Sequence, residues 1–586
     1  MDRREIAHVM RTMGALLEIK GEDSFKVRAY EKAAERLAYH DYDLPAMARE
    51  GRLVEIPGIG KNLEPKLREL IQTGRSSFLE RLFQEVPEGL LDLLRVPGIG
   101  PKTARLLHES LGVAGLQDLK VALQEHRVQS LPGLGKKREE LMEKGLREIE
   151  RYSGRLSIGI ALPVLENLVG ALSLHGVRGE IVGETRRYEE TVASLDVLMQ
   201  EVGGESPAST LARTAILPSA SQSSLEQAWD PKDRAFAFRT SFGVALRLHF
   251  EDEQAFWARA ISLTGPASFV ESLAKRAKKK GYRLEERGFY QSDRLVDAGD
   301  ETGIFGLLDM CFVPPEARHR PELIGLAYLE GGEGEPQEGC ERFDFVSTGD
   351  IKGDLHVHTS WSDGVAGIED MVQKARSLGY SYLAITDHAT DLKLIRGLTP
   401  ERLEAQLAEI RDVSRKYPDV RVLTGVEVDI LKDGQLYLPD DLLSRLDLVV
   451  ASVHQDIGDA KGELVNRLVK AVANPNVDLI GHPTGRLIGR RPGHQAGLGP
   501  VFEAAAASGT ALEINSSPQR LDLPEELAAA ALEAGATFAI CTDAHSPEIL
   551  EDMRFGVYAS ARRAGIPRDK VLNARERPQE AMKKGS

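Results

Sequence analysis

The stretch KGDLHVHT, residues 352–359, is the first of the short apolar runs from which we predict the fold of the C-terminal part of the chain. His356 and His358 lie at the end of this run. Six more short apolar runs follow it, and helical patterns such as IEDMVQKARSLG and ELVNRLVKAVAN separate several of them. Strands that alternate with helices predict a parallel sheet, and seven such units predict a barrel. The candidate strands are KGDLHVHT, SYLAITDH, VLTGVEVDI, LDLVVASVH, VDLIGHP, ALEINSS and TFAICTDAH.

Histidines and carboxylates recur at or just beyond the ends of these runs. Barrel enzymes carry their chemistry at the carboxyl ends of the strands, so we expect these side chains to converge on one rim. A lone His-x-His pair is common without a function, but a core histidine has no reason to choose the same strand end every time. The candidate metal ligands are His356, His358, Asp363, His388, Glu427, His454, His482, Asp543 and His545.

The donor types of this set indicate metal-dependent hydrolysis. Imidazole with carboxylate suits Zn²⁺, Mn²⁺ or Fe²⁺ better than Ca²⁺ or Mg²⁺. Clustered divalent ions acidify a water and neutralise phosphate oxygens, which favours phosphoester hydrolysis. The run GHPTGRLIGRRPGH places Arg486, Arg490 and Arg491 where guanidinium groups could hold phosphates, with loop surface charge as the alternative. The candidate catalytic residues of the barrel are Glu427, Asp543, His545 and Arg486.

Three related stretches punctuate the first 150 residues: VEIPGIGKNLEPKLREL, LRVPGIGPKTARLLHESL and QSLPGLGKKREELMEKGL. Each has a Pro-Gly-apolar-Gly turn before an amphipathic helix rich in Lys and Arg. The glycines allow positive φ, and the amides that begin the next helix can face a phosphate. A plain helical connection is the alternative, but three copies favour DNA binding without base recognition. The candidate DNA-binding residues are Gly58, Gly60, Lys61, Gly98, Gly100, Lys102, Gly133, Gly135 and Lys136, with Lys137 next to them.

Length and charge set broader bounds. The 586 residues predict three or four domains. The net charge of −15 does not exclude nucleic acid, because residues 1–150 hold 25 basic and 25 acidic residues and the excess acid lies beyond them. Three widely spaced cysteines predict neither a disulfide framework nor a zinc ribbon. Without an apolar N-terminal run or a run long enough to span a bilayer, we expect a cytoplasmic protein with no membrane partner.

The stretch GETRRYEETVASLDVLMQ, residues 183–200, resembles the metal-binding corner of a nucleotidyltransferase with part of its chemistry missing. Such a corner has a Gly-Ser turn for a triphosphate, whereas Glu184 follows the glycine here and would repel phosphate. With the hairpins before it and SLTGPASFVESLAKRAKKKGYRLEERGFY after it, nearly the whole chain resembles the bacterial family X DNA polymerases.

This resemblance implies a multidomain fold. Its N-terminal region is an all-α helix-hairpin-helix region, its middle is an α+β nucleotidyltransferase-like palm and thumb, and its C-terminal part is an α/β distorted (β/α)7 PHP (polymerase and histidinol phosphatase) barrel. The implied domains are a lyase-like domain at 1–80, a fingers-like domain at 81–153, a degenerate palm at 154–255, a thumb at 256–330, a linker at 331–348 and the PHP domain at 349–586.

The PHP resemblance also implies up to three metal ions. Mn²⁺ is the expected metal, with Zn²⁺ or Fe²⁺ as alternatives. The implied ligand sets are His356, His358, Glu427 and Asp543 for one ion, Glu427, His454 and His482 for a second, and Asp363, His388 and His545 for a third.

The same resemblance places the polymerase positions at Ser194, Asp196 and Ala245, where family palms carry three carboxylates around two Mg²⁺ ions. Asp196 is the carboxylate that remains. We expect polymerisation to be lost or greatly weakened, unless Glu251 and Asp252 replace the missing pair.

Lys66 is a candidate lyase residue. In eukaryotic relatives, a lysine at the matching distance from the first hairpin forms a Schiff base with an abasic sugar. A lysine can react in this way once its neighbours lower its pKa, and Arg68 lies close in sequence. A solvated helix lysine is the alternative.

The combined prediction is a DNA repair protein whose PHP domain is a Mn²⁺-dependent 3′→5′ exonuclease. Its partner is gapped, nicked or primer-terminus DNA, and we expect a monomer in the nucleoid-associated cytoplasm. The alternatives are a working gap-filling polymerase with proofreading, a small-molecule phosphatase, and a DNA-binding scaffold without catalysis.

Overall fold

The computed structural model describes residues 3–39, 42–203, 205–214, 228–240, 242–320, 345–391, 395–455, 463–494 and 497–581. Contacts between residues divide the chain into two compact units. The first comprises Met1–Ser153 with Leu487–Pro492, and the second comprises Gly154–Arg486 with Gly493–Ser586.

The first unit is helical. Its helices bury one apolar face each, as Met10, Met13 and Leu17 do at helical spacing in α1. Its helices in the described residues are α1 (Arg3–Lys20), α2 (Ser24–Tyr39), α3 (Leu44–Glu50), α4 (Glu64–Thr73), α5 (Ser77–Glu85), α6 (Gly89–Leu93), α7 (Pro101–Leu111), α8 (Leu116–Gln124) and α9 (Lys136–Arg151).

The three Pro-Gly-apolar-Gly turns have one conformation. In each, the apolar residue is buried and its amide donates to the carbonyl three residues back, as Ile59 does to Ile56 at 3.0 Å. The first glycine of each turn has positive φ, at +95° for Gly58, +85° for Gly98 and +77° for Gly133. A side chain at these positions would be strained, so the backbone requires glycine there.

The second unit begins with a five-stranded sheet of order β2-β4-β7-β6-β5, in which β4 and β7 are parallel and the other pairs are antiparallel. Short strands β1 and β3 form a separate pair. The elements are β1 (Leu156–Ser157), α10 (Ile158–Leu174), β2 (Gly179–Val182), α11 (Gly183–Arg186), β3 (Thr191–Val192), β4 (Ser194–Gln200), α12 (Pro207–Thr214), β5 (Trp229–Asp230), β6 (Ala235–Arg239) and β7 (Ala245–Glu251).

A small α+β region follows. Its three strands form an antiparallel sheet that packs with helices around Phe269 and Phe305, and a buried ion pair joins Arg318 to Glu301 at 2.7 Å. The elements are α13 (Phe256–Thr264), α14 (Ala267–Lys279), β8 (Tyr282–Glu285), β9 (Gly288–Gln291), β10 (Arg294–Leu295) and α15 (Glu301–Leu307).

The rest of the second unit is a parallel barrel. Seven strands follow the order β11-β12-β14-β15-β16-β17-β18, and the His358 amide donates to the Ala544 carbonyl at 2.8 Å to bring the last strand back to the first. The seven strands are β11 (Gly353–Asp354), β12 (Tyr382–Ile385), β14 (Arg421–Asp429), β15 (Leu448–Ser452), β16 (Leu479–Ile480), β17 (Ala511–Asn515) and β18 (Phe538–Cys541), and the short strand β13 (His388–Ala389) lies outside this order and pairs with β14.

Helices cover the outside of this barrel. One cluster of buried residues includes helical side chains such as Met371 and Leu468 and therefore lies between strands and helices, while a second includes Leu423, Leu448 and Leu479 and fills the interior. The helices are α16 (Ile368–Ser377), α17 (Pro400–Lys416), α18 (Asp440–Leu443), α19 (Glu463–Ala473), α20 (Gly499–Ser508), α21 (Glu525–Glu533), α22 (Met553–Phe555) and α23 (Arg562–Ala564).

The sequence predictions for this region are confirmed strand by strand, with one refinement. His388 does not end the second strand but begins the two-residue strand β13, which pairs with β14. Cys311 is disulfide-bonded, a pairing that the cysteine spacing did not predict. Within the described ranges, no helix has both the length and the apolar character needed to cross a membrane.

Candidate metal centre

All nine predicted ligands lie at the carboxyl end of the barrel. Glu427 shares the inward face of β14 with Leu423, since side chains on a strand alternate with a period of two. His454, His482 and Asp543 follow β15, β16 and β18 by two residues each. His482 and Asp543 have positive φ, +27° and +55°, a strained conformation that proteins retain mainly at functional sites.

The first group of ligand atoms combines His356, His358, Glu427 and Asp543. The Nε2 atom of His358 lies 3.1 Å from Asp543 Oδ1 and 3.5 Å from Glu427 Oε2. The Nε2 atom of His356 lies 3.8 Å and 3.5 Å from the same two oxygens. Ligand atoms around a tetrahedral ion at about 2.1 Å lie about 3.4 Å apart, so this group has the dimensions of a single-ion site.

A second group lies at the exposed side of the centre. Asp363 places Oδ2 3.5 Å from His388 Nε2 and Oδ1 3.4 Å from His545 Nε2. The ring of His358 lies 4.3 Å from the ring of His545, so it borders both groups. The side chains of Asp363 and His545 are 35% and 33% exposed, whereas the first group is almost fully buried, so the centre opens to solvent here.

The third group differs from the implied set. His388, Glu427 and His454 bring their ligand atoms together, with His454 Nε2 3.3 Å from Glu427 Oε1. His388 therefore faces two groups. His482 Nε2 lies 3.0 Å from Glu427 Oε1 and contacts the same carboxylate from the other side.

Supporting carboxylates orient the histidine rings. His356 Nδ1 donates to Glu513 Oε1 at 2.7 Å, and His454 Nδ1 donates to Asp429 Oδ1 at 2.6 Å, which turns each Nε2 toward the centre. Asn515 Nδ2 donates to Asp543 Oδ2 at 3.0 Å. The sequence analysis missed all three. Their signal was inward alternation, since Glu513 and Asn515 lie in β17 and Asp429 ends β14.

The protonation states of Glu427, Asp363 and His358 suit cation binding. Burial alone would raise the pKa of Glu427, but the surrounding imidazoles, His388 first among them, hold it well below its ordinary value. The hydrogen bonds from His388 and His545 likewise lower the pKa of Asp363 against the effect of its burial. Burial lowers the pKa of His358 to about 3, so its imidazole is neutral near pH 7, the form that binds metal.

Several buried polar atoms of the centre lack hydrogen-bond partners among the described residues. His388 Nδ1 and Glu427 Oε2 lie 2.6 Å apart, but their orientation is not that of a hydrogen bond. Unpaired buried donors and acceptors are rare, and a bound ion explains a convergent set of them. The atoms are Nε2 of His356, Nδ1 and Nε2 of His358, Nδ1 of His388, Nδ1 of His482 and Oε2 of Glu427.

Arg486 is not placed to hold a phosphate at this centre. Its side chain is 6% exposed, and its guanidinium donates to the carbonyls of Arg520 and Leu521 and pairs with Glu190 at 2.8 Å. The catalytic role predicted for Arg486 is therefore not supported, because its side chain is buried and its Nε and Nη2 donors are already engaged. Arg520 reaches the centre instead, with Nε 3.6 Å from Asp543 Oδ2.

The palm-like corner presents a satisfied carboxylate. Ser194 and Ala245 are neighbours across the parallel pair β4–β7, as the sequence interpretation requires. Asp196 accepts a hydrogen bond from Ser194 Oγ at 2.5 Å and lies 3.1 Å from His249 Nε2. Glu184 accepts from the Ala193 amide at 2.6 Å, so its carboxylate occupies the turn.

The proposed substitutes for the missing carboxylates point elsewhere. Glu251 pairs with Arg287 at 2.8 Å, and Asp252 accepts from the Ala255 amide at 2.9 Å. Glu251 also lies four residues beyond the level of Asp196 on the paired strands, roughly 13 Å along the sheet. Neither residue can join Asp196 around one ion.

In the first unit, Lys66 is half-buried against aromatic rings. Its Nζ donates to Tyr30 Oη at 2.8 Å and lies 4.3 Å from the centroid of the Phe78 ring. Burial lowers the pKa of Lys66, with smaller contributions from Lys26 and Arg81. Arg68, the neighbour expected to have this effect, instead pairs with Glu64.

Comparisons with known proteins agree with these features. Residues 1–76 match a helix-hairpin-helix domain, 90–148 a SAM-like helix-hairpin-helix tandem, 260–319 a DNA polymerase beta thumb and 354–517 a PHP domain. The DNA polymerase/3′-5′ exonuclease PolX of Bacillus subtilis (strain 168) is 36% identical over 582 residues, which cover 98% of each chain. The chain belongs to DNA polymerase family X.

Membership of family X confirms the predicted fold class and the presence of a metal-dependent phosphoesterase domain. Shorter relatives match only part of the chain. A probable phosphatase of Thermoanaerobacter sp. (strain X514) is 29% identical over 235 residues, 38% of this chain and 89% of its own. A probable phosphatase of Syntrophotalea carbinolica is 32% identical over 168 residues, 28% of this chain and 65% of its own.

Proposed function

We propose that the PHP barrel is a Mn²⁺-dependent phosphodiesterase that removes nucleotides from the 3′ ends of DNA during repair. The observation that carries this proposal is the convergence of nine ligand side chains, five of which have a buried nitrogen or oxygen atom without a hydrogen-bond partner among the described residues. The Bacillus subtilis relative, whose name includes 3′-5′ exonuclease, supports DNA rather than a small monoester as substrate.

The proposed ligand sets follow the geometry. One set is His356, His358, Glu427 and Asp543, one is Asp363, His388 and His545, and one is Glu427, His454 and His482 with His388 alongside. Bound divalent ions would supply Lewis acidity toward a phosphate and would lower the pKa of a nearby water.

The side chains of the centre have distinct tasks. The neutral imidazole of His358 and the anionic carboxylate of Glu427 lie in the most buried part of the centre. Glu513 fixes the ring of His356 so that its Nε2 atom faces the centre. The exposed pair Asp363 and His545 marks the side at which a DNA end would enter. A proton that leaves the attacking water can pass to this solvent-facing side.

The helix-hairpin-helix turns are the proposed DNA grip. Lys61, Lys102 and Lys136 are exposed next to them. A Cβ atom at Gly60, Gly100 or Gly135 would have no atom of the described residues within 4 Å, so a phosphate backbone can approach. The predicted domain boundaries, the monomeric state and the nucleoid-associated compartment remain predictions.

We propose further that the palm no longer polymerises. Its remaining carboxylate, Asp196, is held by Ser194 and His249, and Glu184 stands at the turn where a triphosphate would need a donor. One engaged carboxylate is a poor ligand set for two Mg²⁺ ions.

One assay tests both parts of this proposal. A 5′-labelled primer on a one-nucleotide-gapped duplex is incubated with Mn²⁺ and deoxynucleotides, and its length is followed. Shortening without extension is expected. Lengthening would overturn the inactive palm, and hydrolysis of small phosphomonoesters in preference to the primer would favour a phosphatase.

Lys66 carries a second candidate function, cleavage at abasic sites through a Schiff base. A half-buried lysine with a lowered pKa offers more neutral amine near pH 7 than a solvated one. Borohydride trapping on a 5′-deoxyribose phosphate substrate should give an adduct that Lys66→Ala abolishes and that Lys416→Ala, at an exposed lysine of the barrel, retains. Absence of any adduct in the unaltered protein would exclude this function.

A further inference from the structure

Arg520 lies on the loop between β17 and α21, next to the metal centre. Its Nε atom is 3.6 Å from Oδ2 of Asp543, and its side chain is 22% exposed. In the part of the chain that the structure describes, this ionic contact is the only partner of its guanidinium, which makes no hydrogen bond there. The group therefore has donors available beside the metal centre.

Arg486 shows what an occupied guanidinium looks like in the same region. Its Nε donates to the Arg520 carbonyl at 2.6 Å and its Nη2 to the Leu521 carbonyl at 2.7 Å. These two hydrogen bonds engage the guanidinium group of Arg486 with the backbone of the loop. Arg486 therefore stabilises the loop, whereas Arg520 is the arginine that the loop places beside Asp543.

We propose that Arg520 binds the phosphate of the substrate and that Glu190, acting through Arg486, is its positioning residue. This inference rests on the proposed phosphodiesterase function and names the residue that recognises the scissile phosphate. Guanidinium matches phosphate geometry with two parallel N–H donors, which a lysine cannot reproduce.

The palm-like region supports the loop from its other side. Glu190 pairs with Arg486 at 2.8 Å, and Ser157 Oγ donates to the Pro518 carbonyl at 3.4 Å. A methyl group on Gly159 would lie 2.5 Å from Pro518, so only glycine allows this close contact. The palm thus has a structural reason to persist without polymerase chemistry.

Backbone strain in the loop agrees with this support. Leu521 has a φ of +45°, a left-handed conformation that a residue with a branched side chain seldom adopts. Its carbonyl accepts from Arg486, and its amide donates to the Ser517 carbonyl at 2.9 Å. Such a conformation persists only where the surroundings hold it, and Arg520, whose Nε lies 3.6 Å from Asp543 Oδ2, immediately precedes it.

The test uses the full-length Mn²⁺-loaded protein and two readouts. Hydrolysis of thymidine 5′-monophosphate p-nitrophenyl ester, a small diester that needs no hairpin contact, gives kcat and KM. Calorimetric titration with thymidine 5′-monophosphate gives the affinity for the phosphate without turnover, and bound manganese is measured in every variant.

Arg520→Ala should weaken binding of the monophosphate and raise KM by roughly 10- to 100-fold, the loss of one charge-assisted phosphate contact, with manganese content unchanged. Arg520→Lys should recover part of the affinity. Glu190→Gln should raise KM by a smaller factor, roughly 3- to 10-fold, with kcat nearly unchanged.

Glu166→Gln is the matched control, because Glu166 pairs with Arg554 at 2.9 Å and its partner does not touch the loop. It should alter neither readout. Equal binding by Arg520→Ala and the unaltered protein, or no binding by either, would overturn the inference. If the unaltered protein binds the monophosphate through Arg520 but hydrolyses neither the ester nor a labelled primer, the proposed function fails while the phosphate site stands.

Discussion

The palm-like corner and the barrel rim both present a carboxylate close to histidine on parallel strands, yet the two carboxylates are in opposite states. In the palm, each carboxylate oxygen of Asp196 has a partner, Ser194 Oγ for Oδ2 and His249 Nε2 for Oδ1. In the barrel, Glu427 Oε2 and several imidazole nitrogens are buried without a hydrogen bond from any described residue. A carboxylate is informative about metal binding only when its partners are known, because a satisfied one has no need of an ion.

The two regions also differ in their supporting contacts. Behind the barrel ligands stand Glu513 and Asp429, which fix histidine rings with the free nitrogen inward. Behind Asp196 stands Arg247, whose Nη1 lies 3.9 Å from Asp196 Oδ1 and brings positive charge to where a cation would bind. The surroundings of the barrel site favour a bound cation, and those of Asp196 in the palm oppose one.

The strongest test of this contrast dismantles the barrel site. Replacing His356 and His358 by Ala removes two ligands of one group, and exonuclease activity should fall about 10³-fold or more, since bound metal supplies several kcal/mol of transition-state stabilisation. DNA binding should survive, because the hairpins belong to the other compact unit. Primer shortening and fluorescence anisotropy measure the two effects.

His175→Ala, at an exposed palm histidine, is the control for this experiment and should change neither quantity. Hydrolysis that persisted in the double variant would place the hydrolytic site outside the barrel and remove the contrast.

The next test concerns the supporting shell. Glu513→Gln keeps the size of the side chain but weakens its bond to His356, and manganese affinity should fall by roughly 10- to 100-fold. Competition with a chromophoric chelator measures that affinity. The control is Glu526→Gln, an exposed glutamate on α21. Equal affinities for the two variants would mean that ring orientation does not depend on Glu513.

The sequence predicted more of the barrel than of the palm for a physical reason. Strand alternation and strand ends are local, so seven strands and nine rim residues could be placed without knowing any contact. The sequence could not show which of Arg486 and Arg520 faces the metal centre, because both are arginines on loops. What separates them is that Arg486 donates to two carbonyls some 34 residues away, a tertiary contact with no local signature.

Lys66 illustrates the same limit. Its position after the first hairpin could be counted from the sequence, and a pKa lowered by its neighbours was the stated condition for its role, a direction that the structure supports. The cause was assigned to Arg68, whereas burial against Tyr30 and Phe78 comes first. A pKa depends on which groups surround the amine in space, and neighbours in sequence on one helix face are a poor guide to that.

The smallest expected effect belongs to the palm itself. Asp196→Asn retains the shape of the side chain but changes its hydrogen-bonding with Ser194 and His249, which should cost about 1–3 kcal/mol of folding free energy. Thermal unfolding should register a modest decrease in Tm, and hydrolysis by the barrel should stay unchanged. Glu253→Gln, at an exposed neighbouring site, should leave Tm where it was.

This last variant separates a structural carboxylate from a catalytic one. If the unaltered protein extends a primer and Asp196→Asn abolishes extension without lowering Tm, the bonds to Ser194 and His249 yield to a metal in the working state, and the palm is a live site. If Tm falls and neither protein extends, the carboxylate now serves the stability of the sheet. The palm is then retained because Glu190 and Gly159, on the same region, support the loop that carries Arg520.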